Sequence, residues 1–204
     1  MRGCAYQYGM NFPKHHVCIW LTTLLLTMST FPVPTDAQAQ TSTARLGCAL
    51  PHAEIEINAP YELVYETVID TSRYPEWNPY ITRVDPPVDL SVVGSEFTLH
   101  VLQPISMTTV QSNEKTFEAQ PPANGEALLA YGYNDLFKLL LGSPVRYHLF
   151  TALDDGRTLY RTYEEFCTIL LPLLPLDDVQ LGFTLQTEAL KAEVERLYAA
   201  GDGE

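Results

Sequence analysis

Residues 80–169 consist almost entirely of β-strand patterns, and one long helical pattern follows them. We predict six strands in this stretch, separated by turn segments rich in Pro, Gly, Asp and Asn: 80–85, 94–102, 106–118, 126–133, 145–153 and 158–169. The segment HAEIEINAP (52–60) predicts one more strand before them, because it alternates polar and apolar residues and has Ile55 and Ile57 on one side. Consecutive strands with short links are typical of an antiparallel meander. The pattern therefore predicts one antiparallel sheet.

A short helix is predicted directly after the first strand. Pro60 and Glu62 both suit a first helical turn, Pro by its fixed φ and Glu by its interaction with the helix dipole. One buried face follows at helical spacing, formed by Tyr61, Val64, Tyr65 and Val68. The helix ends near residues 70–79, DTSRYPEWNP, where two prolines prevent its continuation.

The helical pattern returns at the C-terminal end. Its apolar face is formed by Leu176, Val179, Phe183, Leu190, Val194 and Leu197, with Thr187 in the gap of the stripe. Asp177 and Asp178 occupy the predicted first turn, and Gly201 follows the predicted end. We predict a helix of about six turns. Its apolar face favours packing on the sheet over a free membrane-binding helix.

Residues 1–39 have the layout of a secretory signal peptide: a basic start, a short apolar run within residues 17–31, and small residues ending at Ala39. The run is shorter than the roughly 20 residues that a spanning helix needs. This favours a secreted protein with no stable membrane span after cleavage over the alternative, an uncleaved membrane anchor. We predict a linker over 40–50, a folded domain over 51–200 and a tail over 201–204. Initiation at Met1 or at Met10 stays open.

Charge and motif content exclude several classes of function. The chain has 12 basic and 25 acidic side chains and a formal net charge of −13, which argues against a nucleic-acid partner and against an anionic membrane surface. Nucleophile motifs, phosphate-binding glycine loops and dinucleotide fingerprints do not occur in the sequence. His52, His100 and His148 lie far apart without metal-ligand spacing. We therefore predict no metal and no cofactor, and the sequence predicts no oligomeric state.

Four segments carry a resemblance to a known family: IEINAPYELVYETVID (55–70), YPEWNPYI (74–81), YHLFTALDDGRTLYRTYEEF (147–166) and GFTLQTEALKAEVE (182–195). On these residues the chain resembles the START-like or polyketide cyclase/dehydrase superfamily, also called SRPBCC, over nearly all of its length after the leader. The resemblance implies an α+β helix-grip fold. In this fold a seven-stranded curved antiparallel sheet wraps around a long C-terminal helix, and two short helices follow the first strand. Thr168 departs from a subgroup pattern, Glu-x-Phe-x-Gly, that has Gly at this position.

The resemblance also implies a function. Most members of the superfamily bind a lipid, sterol or polyketide in an apolar cavity between sheet and helix, and a minority are enzymes. We therefore expect a small hydrophobic ligand, and as the alternative a polyketide cyclase or dehydratase. An interaction domain whose own side chains fill the cavity is a third reading. The loop NDLFKLLLGSP (134–144) is either a short helix over the cavity mouth or ordinary core packing.

The hairpin of the last two strands has two registers. If Gly156 is the third residue of a three-residue loop, Arg146, His148 and Phe150 lie opposite Glu164, Thr162 and Tyr160. If Asp155 and Gly156 form a two-residue turn, His148 faces Tyr163 instead, because a slip by one residue exchanges the two faces. We favour the first register, since related sequences resemble it in pointing such side chains inward.

In the favoured register the candidate catalytic pair is Glu164 and His148, acting as base and acid. An ion pair between Arg146 and Glu164, or a solvent-facing polar stripe, is the structural alternative. The candidate ligand-binding residues are Trp77, Asn78, Tyr80, Tyr131, Arg146, Phe150, Tyr160, Phe166 and Phe183. Trp77 has a second interpretation as a side chain that fills the core.

The resemblance finally suggests a disulfide. In the helix-grip arrangement the first strand lies antiparallel beside the last, so Cys48 would approach Cys167. A bond between them fits an oxidising destination.

Overall fold

The structure is a computed structural model, and it describes residues 47–136 and 140–201. The predicted signal peptide (1–39), most of the predicted linker and residues 137–139 of the loop 134–144 lie outside the described residues. Within the described residues, no helix combines the length and apolar composition needed to cross a bilayer.

Seven antiparallel strands form the main sheet. Its order is β2-β8-β7-β6-β5-β4-β3, so only β2 leaves its place in the chain order and returns beside β8. The strands are β2 (His52–Ile57), β3 (Ile81–Asp85), β4 (Glu96–Gln103), β5 (Thr108–Ala123), β6 (Glu126–Tyr133), β7 (Val145–Ala152) and β8 (Thr158–Glu164). A two-stranded sheet pairs β1 (Cys48–Ala49) with β9 (Phe166–Cys167). The curved seven-stranded sheet predicted from the resemblance is confirmed.

Two short helices follow β2, as predicted. They are α1 (Tyr61–Ile69) and α2 (Tyr74–Trp77), with a 3₁₀ turn at Thr71–Arg73 between them. Val64, Tyr65 and Val68 are buried on the predicted face of α1. The Tyr74 hydroxyl donates to the carbonyl of Val68 at 2.7 Å, and this bond ties α2 back to α1.

The long helix α3 (Leu176–Gly201) packs against the sheet and runs a few residues beyond the predicted stripe. Phe183, Leu190 and Val194 are buried at its predicted apolar face. Its polar residues bind the edge strand β2. The Gln180 amide donates to the carbonyl of His52 at 2.8 Å, and Glu195 accepts from the backbone N–H of Asn58 at 2.9 Å. The helix therefore covers an edge that would otherwise offer free backbone groups for pairing.

The β7–β8 hairpin has the favoured register. Gly156 adopts φ +81°, and the N–H of Leu153 donates to the carbonyl of Arg157 at 2.8 Å. Arg146 pairs with Glu164 across the strands, His148 pairs with Thr162, and Phe150 pairs with Tyr160. The alternative register, with His148 opposite Tyr163, is wrong, because Tyr163 pairs with Tyr147.

Several strand boundaries differ from the prediction, and the largest differences lie in the last part of β5 and in the predicted last strand. β5 continues through Pro121 and Pro122 to Ala123, with a register shift after Gln120; prolines are tolerated there because a bulge does not need their missing N–H. The predicted last strand (158–169) breaks at Glu165, and β9 leaves the main sheet to pair with β1. Part of the predicted linker (40–50) is therefore a strand of the folded domain.

A disulfide joins Cys48 to Cys167. The two residues are directly paired between β1 and β9, with their Cα atoms 4.1 Å apart. Because this sheet has only two strands of two residues, its hydrogen bonds alone hold it weakly. The disulfide is therefore the main constraint that holds β1 and β9 together.

We expect reduction of this disulfide to lower the free energy of unfolding by about 2–5 kcal/mol, because it closes a chain segment with a sequence separation of 119 residues. Urea unfolding with and without a reductant measures this difference. The double variant Cys48→Ser/Cys167→Ser is the matched control and should be insensitive to reductant. Equal wild-type midpoints in both conditions would contradict the bond.

Candidate functional site

A cavity of about 440 Å³ opens between the sheet and the start of α3. Strands β3, β4 and β5 supply an apolar wall that includes Ile81, Leu99 and Val101, and Val179 faces it from α3. The other lining residues are Tyr80, Gln103, Val110, Gln111, Ser112, Asn113, Glu114, Tyr131, Tyr133, Asp135, Leu141, Arg146, Glu164, Phe166, Leu174, Pro175 and Leu176. The site is thus apolar on one side and carries polar groups on the other.

The polar groups form a row across four neighbouring strands. Glu164 on β8 pairs with Arg146 on β7, Arg146 pairs with Tyr131 on β6, and Tyr131 pairs with Thr116 on β5. Directly paired residues have their Cβ atoms about 5 Å apart. Glu114 lies two positions before Thr116, so it shares the same face of β5. The alternation of each strand therefore brings two carboxyls and one guanidinium onto a single wall.

Arg146 is buried, with only 4% of its surface exposed. Its Nε donates to the hydroxyl of Thr162 at 3.1 Å, and its Cζ lies 3.8 Å from the centre of the Phe183 ring. Its Nη2 has no hydrogen-bond partner in the part of the chain that the structure describes. The ion pair with Glu164 that the sequence suggested is not formed: among the described residues, no carboxylate lies within 4.0 Å of this guanidinium. The charge is held by a cation–π contact and one hydroxyl.

Burial keeps the two wall carboxyls protonated to unusually high pH. Burial first, and the neighbouring Glu164 second, raise the pKa of Glu114 to about 8, although the Ser112 hydroxyl, which donates to Oε1, and Arg146 act in the opposite direction. Burial raises the pKa of Glu164 to about 7, and Arg146 partly offsets this rise. Both groups therefore exchange a proton near neutral pH, as acid–base catalysts do.

His148 lies next to this wall but does not line the cavity. It is fully buried, and its Nδ1 lies 2.7 Å from the Tyr160 hydroxyl. Burial, and to a lesser degree Arg146, hold the pKa of its imidazole well below the ordinary value, so the ring is neutral. The assignment of His148 as the acid stays a prediction, which its place outside the cavity and its neutral ring do not favour. Glu114 is the second proton-exchanging group of the site.

Of the predicted ligand-binding residues, four line the cavity: Tyr80, Tyr131, Arg146 and Phe166. The candidate catalytic residue Glu164 lines it as well. Five predicted ligand residues lie outside the lining: Trp77, Asn78, Phe150, Tyr160 and Phe183. Phe183 still contributes to the site, because the guanidinium of Arg146 stacks on its ring.

The Trp-Asn-Pro segment is structural. The Asn78 side-chain oxygen accepts from the backbone N–H groups of Tyr80 at 3.0 Å and Ile81 at 2.9 Å, which satisfies the start of β3 after α2. The Trp77 ring is half-buried and packs edge-to-face on Tyr74, with ring centres 5.2 Å apart. The core-filling interpretation of Trp77 fits this contact better than a ligand contact does.

Glu114, Tyr133, Leu99, Val101 and Val179 line the cavity but were not predicted as site residues. The sequence around Glu114, QSNEKTF, contains polar residues at inward and outward positions alike, so it carried no signal of a buried face. Across the described residues, the one cluster of metal-ligating types is Cys48, Glu165 and Cys167, whose two sulfurs are already joined to each other.

Gly182 allows α3 to approach the cavity wall closely. A Cβ at this position would overlap the ring of Tyr80, which lines the cavity and lies edge-to-face with Phe183 at 6.0 Å between ring centres. The missing side chain thus leaves room for the Tyr80 ring between helix and cavity.

We expect the stability of the protein to fall as the pH rises from about 4.5 to about 8. Between the ordinary carboxyl pKa of 4.5 and the raised value of about 8, folded Glu114 binds more protons than the unfolded chain, so the free energy of unfolding decreases as the pH rises. Urea unfolding across this range should show a loss of about 1 kcal/mol or more.

The variant Glu114→Gln should lose much less stability over that range, because its amide does not titrate. Glu118→Gln, an exposed position on the same strand, is the control and should follow the wild type. A pH dependence shared by all three proteins would show that Glu114 is ionised throughout.

Gly182→Ala should weaken binding in the cavity and lower the free energy of unfolding by about 1–3 kcal/mol, because the added methyl group displaces the Tyr80 ring. Gly201→Ala, in the last turn of the same helix with no heavy atom within 4 Å of the new Cβ, is the matched control. Thermal unfolding of both variants makes the comparison, and equal behaviour would refute the close packing at residue 182.

No family model and no curated protein matches the chain. Solved structures do match. A hypothetical protein from Helicobacter pylori is 14% identical with a TM-score of 0.55, covering 84% of this chain and 99% of its own. A major latex-like protein from Panax ginseng is 12% identical with a TM-score of 0.56, covering 72% and 97%. Norcoclaurine synthase from Thalictrum flavum is 14% identical with a TM-score of 0.51, covering 72% and 86%.

At these identities the matches establish the fold. They agree with the strand order, the two short helices and the long terminal helix described above. The chain therefore has the helix-grip fold that the resemblance of its sequence implied.

Proposed function

We propose that the protein binds a small hydrophobic molecule of the lipid, sterol or polyketide-like class in the cavity between the sheet and α3. The observation that carries this proposal is the cavity itself. Its volume of about 440 Å³ falls within the range of roughly 300–1,000 Å³ that is common for small-molecule sites.

The lining fits such a guest. Apolar side chains from both the sheet and the helix face the space, among them Leu99, Val101 and Val179. Removing apolar surface of a guest from water favours binding by about 25 cal/mol for each Å² buried. The few polar groups on the opposite wall would orient the guest and discriminate between guests.

One structural neighbour offers a parallel. The structure of norcoclaurine synthase from Thalictrum flavum contains dopamine and hydroxybenzaldehyde, so a protein of this fold accommodates small aromatic molecules. The parallel supports small-molecule binding for this chain and leaves the chemistry of the guest to the residues of its own cavity.

A cyclase or dehydratase acting on the same class of guest is the second candidate. Its support is that Glu164 and Glu114 both line the cavity and have pKa values of about 7 and 8. A carboxyl with such a pKa can accept a proton from an acidic carbon and return it at neutral pH. The pH dependence of stability expected above reports the protonation of Glu114. The cyclase or dehydratase candidate requires that this pH dependence is observed.

Binding can be tested with N-phenyl-1-naphthylamine, a neutral apolar dye whose fluorescence rises in apolar sites. We expect saturable binding by the wild type and a loss of about tenfold or more in affinity for Val179→Trp, because the larger ring occupies the cavity. Val92→Trp introduces the same ring at an exposed loop position and should bind like the wild type.

The absence of saturable dye binding by the wild type would overturn the proposed function. Equal affinities of the two tryptophan variants would place the dye outside the cavity and would overturn it as well.

A further inference from the structure

We propose that the natural guest is an organic anion, with an acidic group bound against Arg146 and an apolar body lying along the Leu99 and Val101 wall. This inference rests on the proposed function and specifies the chemical class of the ligand.

The argument begins with the cost of burying Arg146. A guanidinium removed from water loses several kcal/mol of hydration unless an opposite charge and hydrogen bonds replace the lost water. Arg146 is 4% exposed; among the described residues its Nε donates to the Thr162 hydroxyl, yet its Nη2 has no hydrogen-bond partner. A buried cation in this state has an unmet requirement for a negative partner.

No described carboxylate forms an ion pair with Arg146. Glu164 is directly opposite Arg146 in the sheet but forms no ion pair with it, and Glu114 accepts instead from Ser112. Burial also favours the protonated form of both carboxyls, which then act as hydrogen-bond donors in place of counter-ions. Their neutral forms would add donors beside a bound anion.

The position of Arg146 suits an incoming acid. It lines the cavity, and it is the one cationic side chain among the described lining residues. Phe183 covers one face of the guanidinium at 3.8 Å and Thr162 occupies Nε, so the group is fixed in orientation. A planar guanidinium with a free terminal nitrogen matches the geometry of a carboxylate, and such charge-assisted bonds are roughly twice as strong as neutral ones.

The apolar wall distinguishes this guest from a small inorganic anion. Ile81, Leu99 and Val101 offer no hydrogen bonds, so an ion without an apolar body would leave most of the cavity unfilled. The site therefore selects a molecule with both parts, an acidic end and an apolar body.

The test compares two competitors that differ only at one end, decanoate and decan-1-ol, in displacing bound N-phenyl-1-naphthylamine near neutral pH. We expect decanoate to displace the dye from the wild type at a concentration at least about tenfold lower than decan-1-ol. In Arg146→Met this preference should disappear when the displacement by each competitor is expressed relative to that variant's own dye affinity. Arg161→Met removes an exposed arginine from β8 with the same change in charge and should keep the wild-type preference.

The outcomes separate the two proposals. If decan-1-ol displaces the dye from the wild type as well as decanoate does, or if the preference survives in Arg146→Met, the anion proposal is overturned while the binding function stands. If the wild type does not bind the dye, both fall. If circular dichroism shows that Arg146→Met does not fold, the test uses the wild type and Arg146→Lys instead. Arg146→Lys keeps the positive charge, so it should keep part of the preference for decanoate over decan-1-ol.

Discussion

The register of the β7–β8 hairpin determines the chemistry of the cavity. A slip by one residue would place Arg146 and Glu164 on opposite faces of the sheet, because side chains alternate with a period of two. The turn fixes this register: Gly156 adopts a left-handed conformation that other residues avoid, and Leu153 then pairs with Arg157. A three-residue turn on the surface thus determines which groups face the cavity at the other end of the hairpin.

The space between the sheet and α3 is packed along one part of the helix and open along another. A solid core would bury the apolar face of α3 completely, and from Phe183 to Val194 the helix does pack in this way. Near its start, Leu176 and Val179 are only partly buried and face the cavity. The disulfide between Cys48 and Cys167 holds β9 beside β1, and Phe166 of β9 lines the same cavity. The molecule is therefore rigidly packed at one end of the helix and open at the other.

Most of the fold could be predicted from the sequence, because alternation, turn residues and one helical stripe are local signals of long elements. The hairpin register could be predicted because Gly156 limits the turn. The site was harder. Glu114 is buried by the curvature of the sheet around α3, and its neighbours in the sequence are polar on both faces. Nothing in the sequence marks Asn78 as structural. Its side-chain oxygen accepts from the backbone N–H of Tyr80 only because of the path that the backbone takes into β3. The secretory leader stays a prediction.

The three ionisable groups of the wall are best understood together. Arg146 stabilises a negative charge anywhere near it, and Glu114 and Glu164 disfavour each other's ionisation. An anionic guest at Arg146 would supply a negative charge in place of the carboxylates and would raise their pKa values further, since like charges in a buried site repel. Binding of the acid and protonation of the carboxyls would then be linked, each favouring the other. The same wall would thus serve both proposals, the selective binding of an acid and the proton exchange that a catalyst would need.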